Sequence, residues 1–210
     1  MKRCVIIGGA PIQNYEAVRG YLDKENDYYI YCDCGLKHQE ALGAEPNLII
    51  GDFDSHEKPL TETETIVLPH VKDDTDTMYA AKEAVKRGFT DFLLLGVIGA
   101  RFDHSLANIS MLLWLHSHGC HALLADDYSE MEIVGKEPVY VPDSFGYYSL
   151  LAVDGRVSGL YEEDAFYPLE DAELTPEFPL GVSNEALPGK SAKIWVENGR
   201  LLLIKDRGGK

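Results

Sequence analysis

The sequence predicts an α/β domain over residues 1–127, with a largely parallel sheet in a Rossmann-like three-layer arrangement, followed by an all-β sandwich over residues 128–210. Three observations predict it. From Arg3 to Asp126 short apolar runs alternate with segments of helical spacing. Glycine and acidic clusters follow the ends of several of those runs. After Asp127 the texture changes to short stretches rich in Val, Tyr and Leu with turn residues between them. With no internal repeat and no low-complexity linker, the two domains are expected to join directly near residues 127–131.

Taken in order, Cys4-Val5-Ile6-Ile7 reads as the first strand and Gly8-Gly9 as the turn at its carboxyl end. Ile12, Tyr15, Val18, Tyr21 and Leu22 recur at helical spacing. Tyr28–Cys32 is a second strand running into Asp33-Cys34-Gly35, and a short helix is expected from Leu36 to Leu42 with Gly43 as its stop. Leu48-Ile49-Ile50 is the third strand and Thr65–Leu68 the fourth. The cluster Lys72-Asp73-Asp74-Thr75-Asp76 opens a helix whose expected apolar face is Met78, Ala81, Ala84 and Val85. Asp and Thr there suit an N-cap, but three carboxylates in four positions exceed what a cap needs. Phe92–Leu95 is a fifth strand, residues 96–104 lead into a helix bearing Leu106, Ile109, Leu112 and Leu113, and His121–Ala125 is a sixth strand.

The second domain is expected to contain strands at Met131–Val134, Val139–Val141, Tyr147–Val153 and Val157–Leu160. Ala192–Glu197 and Arg200–Lys205 flank Asn198-Gly199, the favoured two-residue turn, and read as a final hairpin with Trp195 in the core.

Composition narrows the function. A chain of 210 residues buries a proper core as one or two domains. Its formal charge of −16 and pI of 4.7 argue against nucleic-acid binding, which depends on Lys/Arg patches, and no basic run of that kind is present. A phosphate substrate would therefore need metal ions for neutralisation, and a cationic co-substrate would be favoured by the field. No stretch approaches a membrane span, and the N-terminal apolar run is too brief for a signal peptide. Cys4, Cys32, Cys34 and Cys120 lack zinc or redox spacing and read as reduced structural thiols in a cytoplasmic protein.

The chemistry centres on Gly51-Asp52-Phe53-Asp54-Ser55 at the end of the third strand. In extended backbone Asp52 and Asp54 point the same way and Phe53 turns back toward the core. Two such carboxylates repel unless one is protonated or a hard cation such as Mg2+ sits between them. Gly8-Gly9, Asp33, Asp52/Asp54 and Arg101/Asp103 all follow the carboxyl ends of predicted parallel strands, where open α/β sheets place their ligands.

Four ordered segments, Gly51–Ser55, Lys72–Asp76, Gly99-Ala100-Arg101-Phe102-Asp103-His104 and Ser183-Asn184-Glu185, together resemble the signature of the thiamine pyrophosphokinase (thiamine diphosphokinase) family. The resemblance spans nearly the whole chain. It implies transfer of the diphosphate of ATP to the hydroxyethyl group of thiamine, giving thiamine diphosphate and AMP. It also implies a homodimer with thiamine bound between the α/β domain of one chain and the β domain of the other. Carried over by position, Asp52, Asp54, Asp73 and Asp76 hold Mg2+, and Gly8, Gly9, Asp33, Lys72, Thr75, Arg101 and His104 bind the nucleotide. Tyr167, Ser183 and Asn184 contact thiamine. The general base stays open among Asp73, Asp76 and Asp103. Ala100 stands where the family commonly has a second glycine.

Those residue types suit the reaction. Phosphoryl-type transfer needs positioning and charge neutralisation more than covalent help. A thiazolium cation suits an acidic pocket with an aromatic wall, and Asn184 offers donor and acceptor to an aminopyrimidine. Two alternatives stand beside this reading: a phosphatase with Asp52 as nucleophile, and a nucleotide or vitamin sensor without turnover. The first leaves the later motifs and the β domain unexplained. The second leaves the retained Lys72, Arg101 and carboxylates without a task.

Overall fold

The computed structural model describes residues 2–53, 60–99 and 101–208. The chain divides into two compact units, Met1–Asp127 and Tyr128–Lys210.

The first unit carries strands β1 (Cys4–Ile7), β2 (Tyr28–Cys32), β3 (Leu48–Gly51), β4 (Glu64–Val67), β5 (Asp91–Leu95) and β6 (His121–Ala125) in the spatial order β6-β5-β1-β2-β3-β4. Every neighbouring pair among them is parallel. β1 is buried on both faces, as strands covered by helices on each side must be. Val5, Ile7, Tyr29, Tyr31, Leu93 and Leu95 share one core with Val18 of α1 (Tyr15–Arg19) and Leu42 of α2 (Gln39–Leu42). On the alternate positions Cys32 faces α3 (Asp76–Lys86), its thiol 3.7 Å from the Asp76 carbonyl. Beside α3 packs α4 (Phe102–Ser117).

The chain leaves β1 toward β2 on one side and later returns, through α3, to β5 on the other. The order therefore reverses between β1 and β5, the place where a crevice opens at the carboxyl edge of such sheets. There Gly8 and Gly96 lie so close that a Cβ on either would stand 2.6 Å from the other's carbonyl oxygen.

The expected helices shift in detail. Between Ile12 and Leu22 only α1 forms, started by Asn14, whose side chain accepts from Ala17 N at 3.2 Å. The Leu36–Leu42 segment becomes a 3-10 helix (Asp33–His38) followed by α2, ended as expected by Gly43 at φ +62°. The buried face of α3 is Ala80, Ala81 and Ala84. That of α4 is Ser105, Asn108, Met111, Leu112 and Leu115, while Leu106 is exposed. The apolar periodicity of α4 was read one position late because two polar residues sit on its inner face.

The second unit is antiparallel throughout. One set of strands runs β12 (Gly181–Asn184), β9 (Tyr147–Leu151), β14 (Leu201–Asp206), β7 (Ser129–Val134). The other runs β11 (Ala172–Leu174), β10 (Val157–Glu163), β13 (Ser191–Asn198), β8 (Val139–Pro142). One core, including Tyr148, Leu150, Leu160, Ile194, Val196 and Leu203, draws on both sets.

The expected final hairpin does not form. β13 pairs with β10 and β8, whereas β14 pairs with β9 and β7, so each already has both edges occupied. Asn198-Gly199, with Gly199 at φ +87°, carries the chain from one set to the other. Trp195 is likewise not core. Ala192, Ile194 and Val196 point inward, which leaves Trp195 on the opposite face, stacked on Tyr161 at 5.0 Å under the Lys193 ammonium.

Candidate active site

A cleft of about 590 Å3 opens at the carboxyl edge of the parallel sheet of the first unit. Its walls come from the turns after β1 and β5, from the 3-10 helix after β2, and from the starts of α3 and α4.

Gly51 explains the first of these junctions. A Cβ there would stand 2.9 Å from Asp33 Cβ, so only glycine lets the two strand ends meet. Asp33 adopts φ +37°, a conformation that Asp tolerates better than most residues. It is buried, its Oδ2 lies 3.3 Å from the Cys34 thiol, and its Oδ1 has no hydrogen-bond partner among the described residues. Phe53 also has positive φ, +54°, so the backbone at Phe53 is not the extended strand expected from Asp52 onward.

Asp33, Asp52 and Asp76 bring carboxylate oxygens within 4.8 Å of one another. Lys72 Nζ lies between two of them, 2.8 Å from Asp52 Oδ2 and 2.5 Å from Asp76 Oδ1. Burial disfavours the Lys72 ammonium, but its bonds to Asp52 and Asp76 outweigh that and raise its pKa. Burial pushes the Asp76 carboxyl up, with Asp52 and Asp33 adding to the rise against the pull of Lys72. An all-oxygen donor set containing an orphaned buried carboxylate oxygen fits a hard divalent cation such as Mg2+.

Of the residues singled out in the sequence, Gly8, Gly9, Asp33, Asp52, Lys72, Thr75, Asp76, Arg101 and His104 line this cleft. Thr75 is also the N-cap of α3, its hydroxyl accepting from Met78 N at 3.2 Å. Asp73 and Asp103 are exposed and are not among the lining residues. The Arg101 guanidinium holds Asp103 at 2.6 Å and lowers that carboxyl to about 2. Asp54 and Ala100 fall outside the described residues.

Not anticipated in the sequence, Lys37 and Asn108 line the cleft as well, and His38, which is not a lining residue, holds the Ala10 wall. Lys37 donates to the Gly9 carbonyl at 2.5 Å, and His38 Nε2 bonds the Ala10 carbonyl at 2.9 Å. Because that nitrogen must donate, His38 Nδ1 accepts from the Tyr15 hydroxyl at 2.7 Å. Burial depresses the His38 pKa and favours this neutral form. Asn108 donates to the Val97 carbonyl at 2.7 Å and accepts from Thr77 Oγ1 at 2.8 Å. The signal for Asn108 was a polar residue on the buried stripe of α4; for Lys37 and His38 the local sequence reads as an ordinary helix.

Tyr167, Ser183 and Asn184 come together in the second unit. Asn184 is buried, and its amide is fully engaged: Oδ1 accepts from Tyr167 N at 3.1 Å and Glu185 N at 2.8 Å, while Nδ2 donates to Tyr167 O at 3.0 Å and Glu162 Oε2 at 2.8 Å. Tyr167 itself is 70 % exposed. Ser183 has φ +61° at an irregularity between Gly181 and Asn184, a bulge that re-aims its side chain into the open.

A parallel sheet with glycine turns, carboxylates and a lysine gathered where the strand order reverses defines an α/β protein with its candidate site at the carboxyl edge of the sheet. Residues 20–124 match the family described as thiamin pyrophosphokinase, catalytic domain, and the chain belongs to that family. It is 26 % identical over 215 residues to the thiamine pyrophosphokinase of Bacillus subtilis (strain 168), covering 98 % of this chain and 99 % of that protein. The crystal structure of thiamine pyrophosphokinase from Bacillus subtilis superposes with a TM-score of 0.85 at 23 % identity, over 98 % of this chain and 99 % of the other. Thiamin pyrophosphokinase from Candida albicans does so with a TM-score of 0.77 at 12 % identity, over 98 % and 88 %.

Proposed function

We propose that this chain transfers the diphosphate group of ATP to the hydroxyethyl oxygen of thiamine, releasing AMP. The observation that carries the reading is the meeting of Asp33, Asp52 and Asp76 around Lys72 in a glycine-walled cleft at the reversal of strand order.

The finer architecture follows the same reading: residues 1–127 form a Rossmann-like nucleotide-handling domain and residues 128–210 a thiamine-binding β-sandwich. Strand order in the first unit and the core shared by two antiparallel strand sets in the second support it. Thiamine is placed against Tyr167 and Ser183, whose exposure suits contact with a ligand. Asn184 serves it by fixing the Tyr167 backbone. A homodimer would set this edge of the β domain of one copy against the α/β domain of the other.

In the reaction, the thiamine hydroxyl oxygen forms a bond to the β-phosphorus of ATP, the bond to the bridging oxygen of AMP breaks, and the hydroxyl proton leaves. Asp52, Asp76 and Asp33, with Asp54 by family position, would hold Mg2+, whereas Asp73 stands exposed outside the cleft. When bound, Mg2+ supplies charge neutralisation on the triphosphate. Lys72 and Arg101 add positive charge near phosphate oxygens, and the Gly8–Gly9 turn, Thr75 and His104 line the nucleotide. Of the aspartates open as base, Asp76 lines the cleft, Asp73 is exposed outside it, and Asp103 is tied to Arg101. The four cysteines are free thiols, which suits a cytoplasmic setting. No helix among the described residues is long and apolar enough to cross a membrane.

Mass analysis of the products tests the reading. AMP and thiamine diphosphate should form only when ATP, Mg2+ and thiamine are all present. Release of ADP, of inorganic phosphate without an acceptor, or of AMP regardless of thiamine would overturn it.

A further inference from the structure

Glu162 of β10 is a charged residue that the proposed reaction does not use, and it is 3 % exposed in the core of the second unit. Two donors from the other strand set converge on its Oε2: the Tyr148 hydroxyl of β9 at 2.5 Å and the Asn184 amide of β12 at 2.8 Å. Tyr148 and Asn184 are register partners on neighbouring strands, so one carboxylate oxygen ties β9, β12 and the facing β10 together. Its other oxygen, Oε1, is buried without a partner among the described residues. A carboxylate so placed is costly, and an apolar side chain would fill the same space without desolvating a charge. What an apolar side chain would not do is satisfy the amide hydrogen of Asn184.

That hydrogen matters because the rest of the Asn184 amide holds Tyr167. It bonds both the N–H and the C=O of Tyr167, in a segment where Phe166 N also donates to Glu185 O and Ala165 bridges Ala186. β12 has a bulge at Val182-Ser183, and it ends its strand set with β9 as its neighbour. Register is weakly specified in such a strand unless something fixes it from the core.

We infer that Glu162 is a positioning residue for thiamine specificity: its buried carboxylate anchors Asn184, and through Asn184 sets the backbone that presents the Tyr167 ring. This rests on the placement of thiamine beside Tyr167 in the proposed function. The chemical class recognised is a flat, cationic heteroaromatic, for which an exposed tyrosine ring at a fixed angle is the contact surface.

The test is steady-state kinetics with thiamine and ATP varied separately, on Glu162→Leu, Glu162→Gln and Tyr167→Ala. Glu162→Leu should raise KM for thiamine about tenfold while KM for ATP stays within about twofold. Glu162→Gln, whose carbonyl oxygen can still accept from both donors, should recover most of that loss. Amide hydrogen exchange in the peptides containing Tyr167 and Glu185 should quicken in Glu162→Leu and return toward the parent rate in Glu162→Gln. If Glu162→Leu does not fold, Asn184→Asp and the pair Asn184→Asp with Glu162→Gln carry the same test. There the new glutamine amide faces the new carboxylate and should restore part of the thiamine KM lost by Asn184→Asp alone. An unchanged thiamine KM in Glu162→Leu, an equal rise for both substrates, or no recovery in the pair would overturn the anchoring role. If Tyr167→Ala raises thiamine KM and Glu162→Leu does not, only the anchor fails. If Tyr167→Ala also leaves it unchanged, the placement of thiamine fails with it.

Discussion

Lys72 Nζ stands 2.8 Å from Asp52 Oδ2, joining the segment after β4 to the end of β3 across the mouth of the cleft. The same ammonium reaches Asp76 at 2.5 Å, so one cation balances two of three clustered carboxylates. Both ends of the pair are largely shielded from water, with 16 % and 13 % of the side chains exposed. Lys72→Met would leave those charges facing each other and remove a positive group from the candidate site. We expect kcat/KM for ATP to fall about a hundredfold, the scale of a lost charge-assisted contact of roughly 3 kcal/mol. Circular dichroism should be unchanged.

Gly51→Ala tests the close approach to Asp33. The added Cβ would meet Asp33 Cβ at 2.9 Å with backbone immediately behind it, so Asp33 must shift. Overpacking of this kind costs about 1–3 kcal/mol. A denaturant midpoint should fall accordingly, and the Mg2+ concentration needed for half-maximal activity should rise. An unchanged Mg2+ requirement would remove Asp33 from the metal site.

His38→Ala should loosen the turn that carries Ala10, because the ring's Nε2 holds the Ala10 carbonyl at 2.9 Å. KM for ATP is expected to rise about threefold to tenfold with KM for thiamine unaffected. Tyr15→Phe, which removes the donor to His38 Nδ1, should show a smaller change in the same direction.

Glu162 predicts a slope of stability with pH. Burial, more than its bonds to Tyr148 and Asn184 can offset, raises its folded pKa. The folded state therefore holds the proton to higher pH than the unfolded chain, so stability is full below the ordinary carboxylate range and falls as pH rises through the raised pKa. Urea midpoints of the parent should decline, relative to those of Glu162→Gln, as pH rises above the ordinary carboxylate range. Parallel curves for the two would contradict a raised pKa.

The sequence was most legible where local pattern and burial agree. Strands such as Cys4–Ile7 and Leu48–Ile50 were found because a parallel strand covered on both faces must be a continuous apolar run. It was least legible where a partner distant in the chain decides the outcome. Asn198-Gly199 promises a hairpin, yet β13 and β14 belong to different strand sets because their edges are filled by β10, β8, β9 and β7. The short β11 and β12 carry no periodic signal and were missed.

The sequence by itself determined the ordered motifs, the order of α/β before β, and the acidic balance. Each depends on residue type and spacing alone. Only the tertiary structure decided that Asp33 joins Asp52 and Asp76, that Asp73 does not, and that Asn184 spends its whole amide on Tyr167, Glu185 and Glu162. Those are contacts between strand ends and facing sheets far apart in the chain, and no local periodicity encodes which carboxylate or amide a fold will carry to the same few ångströms.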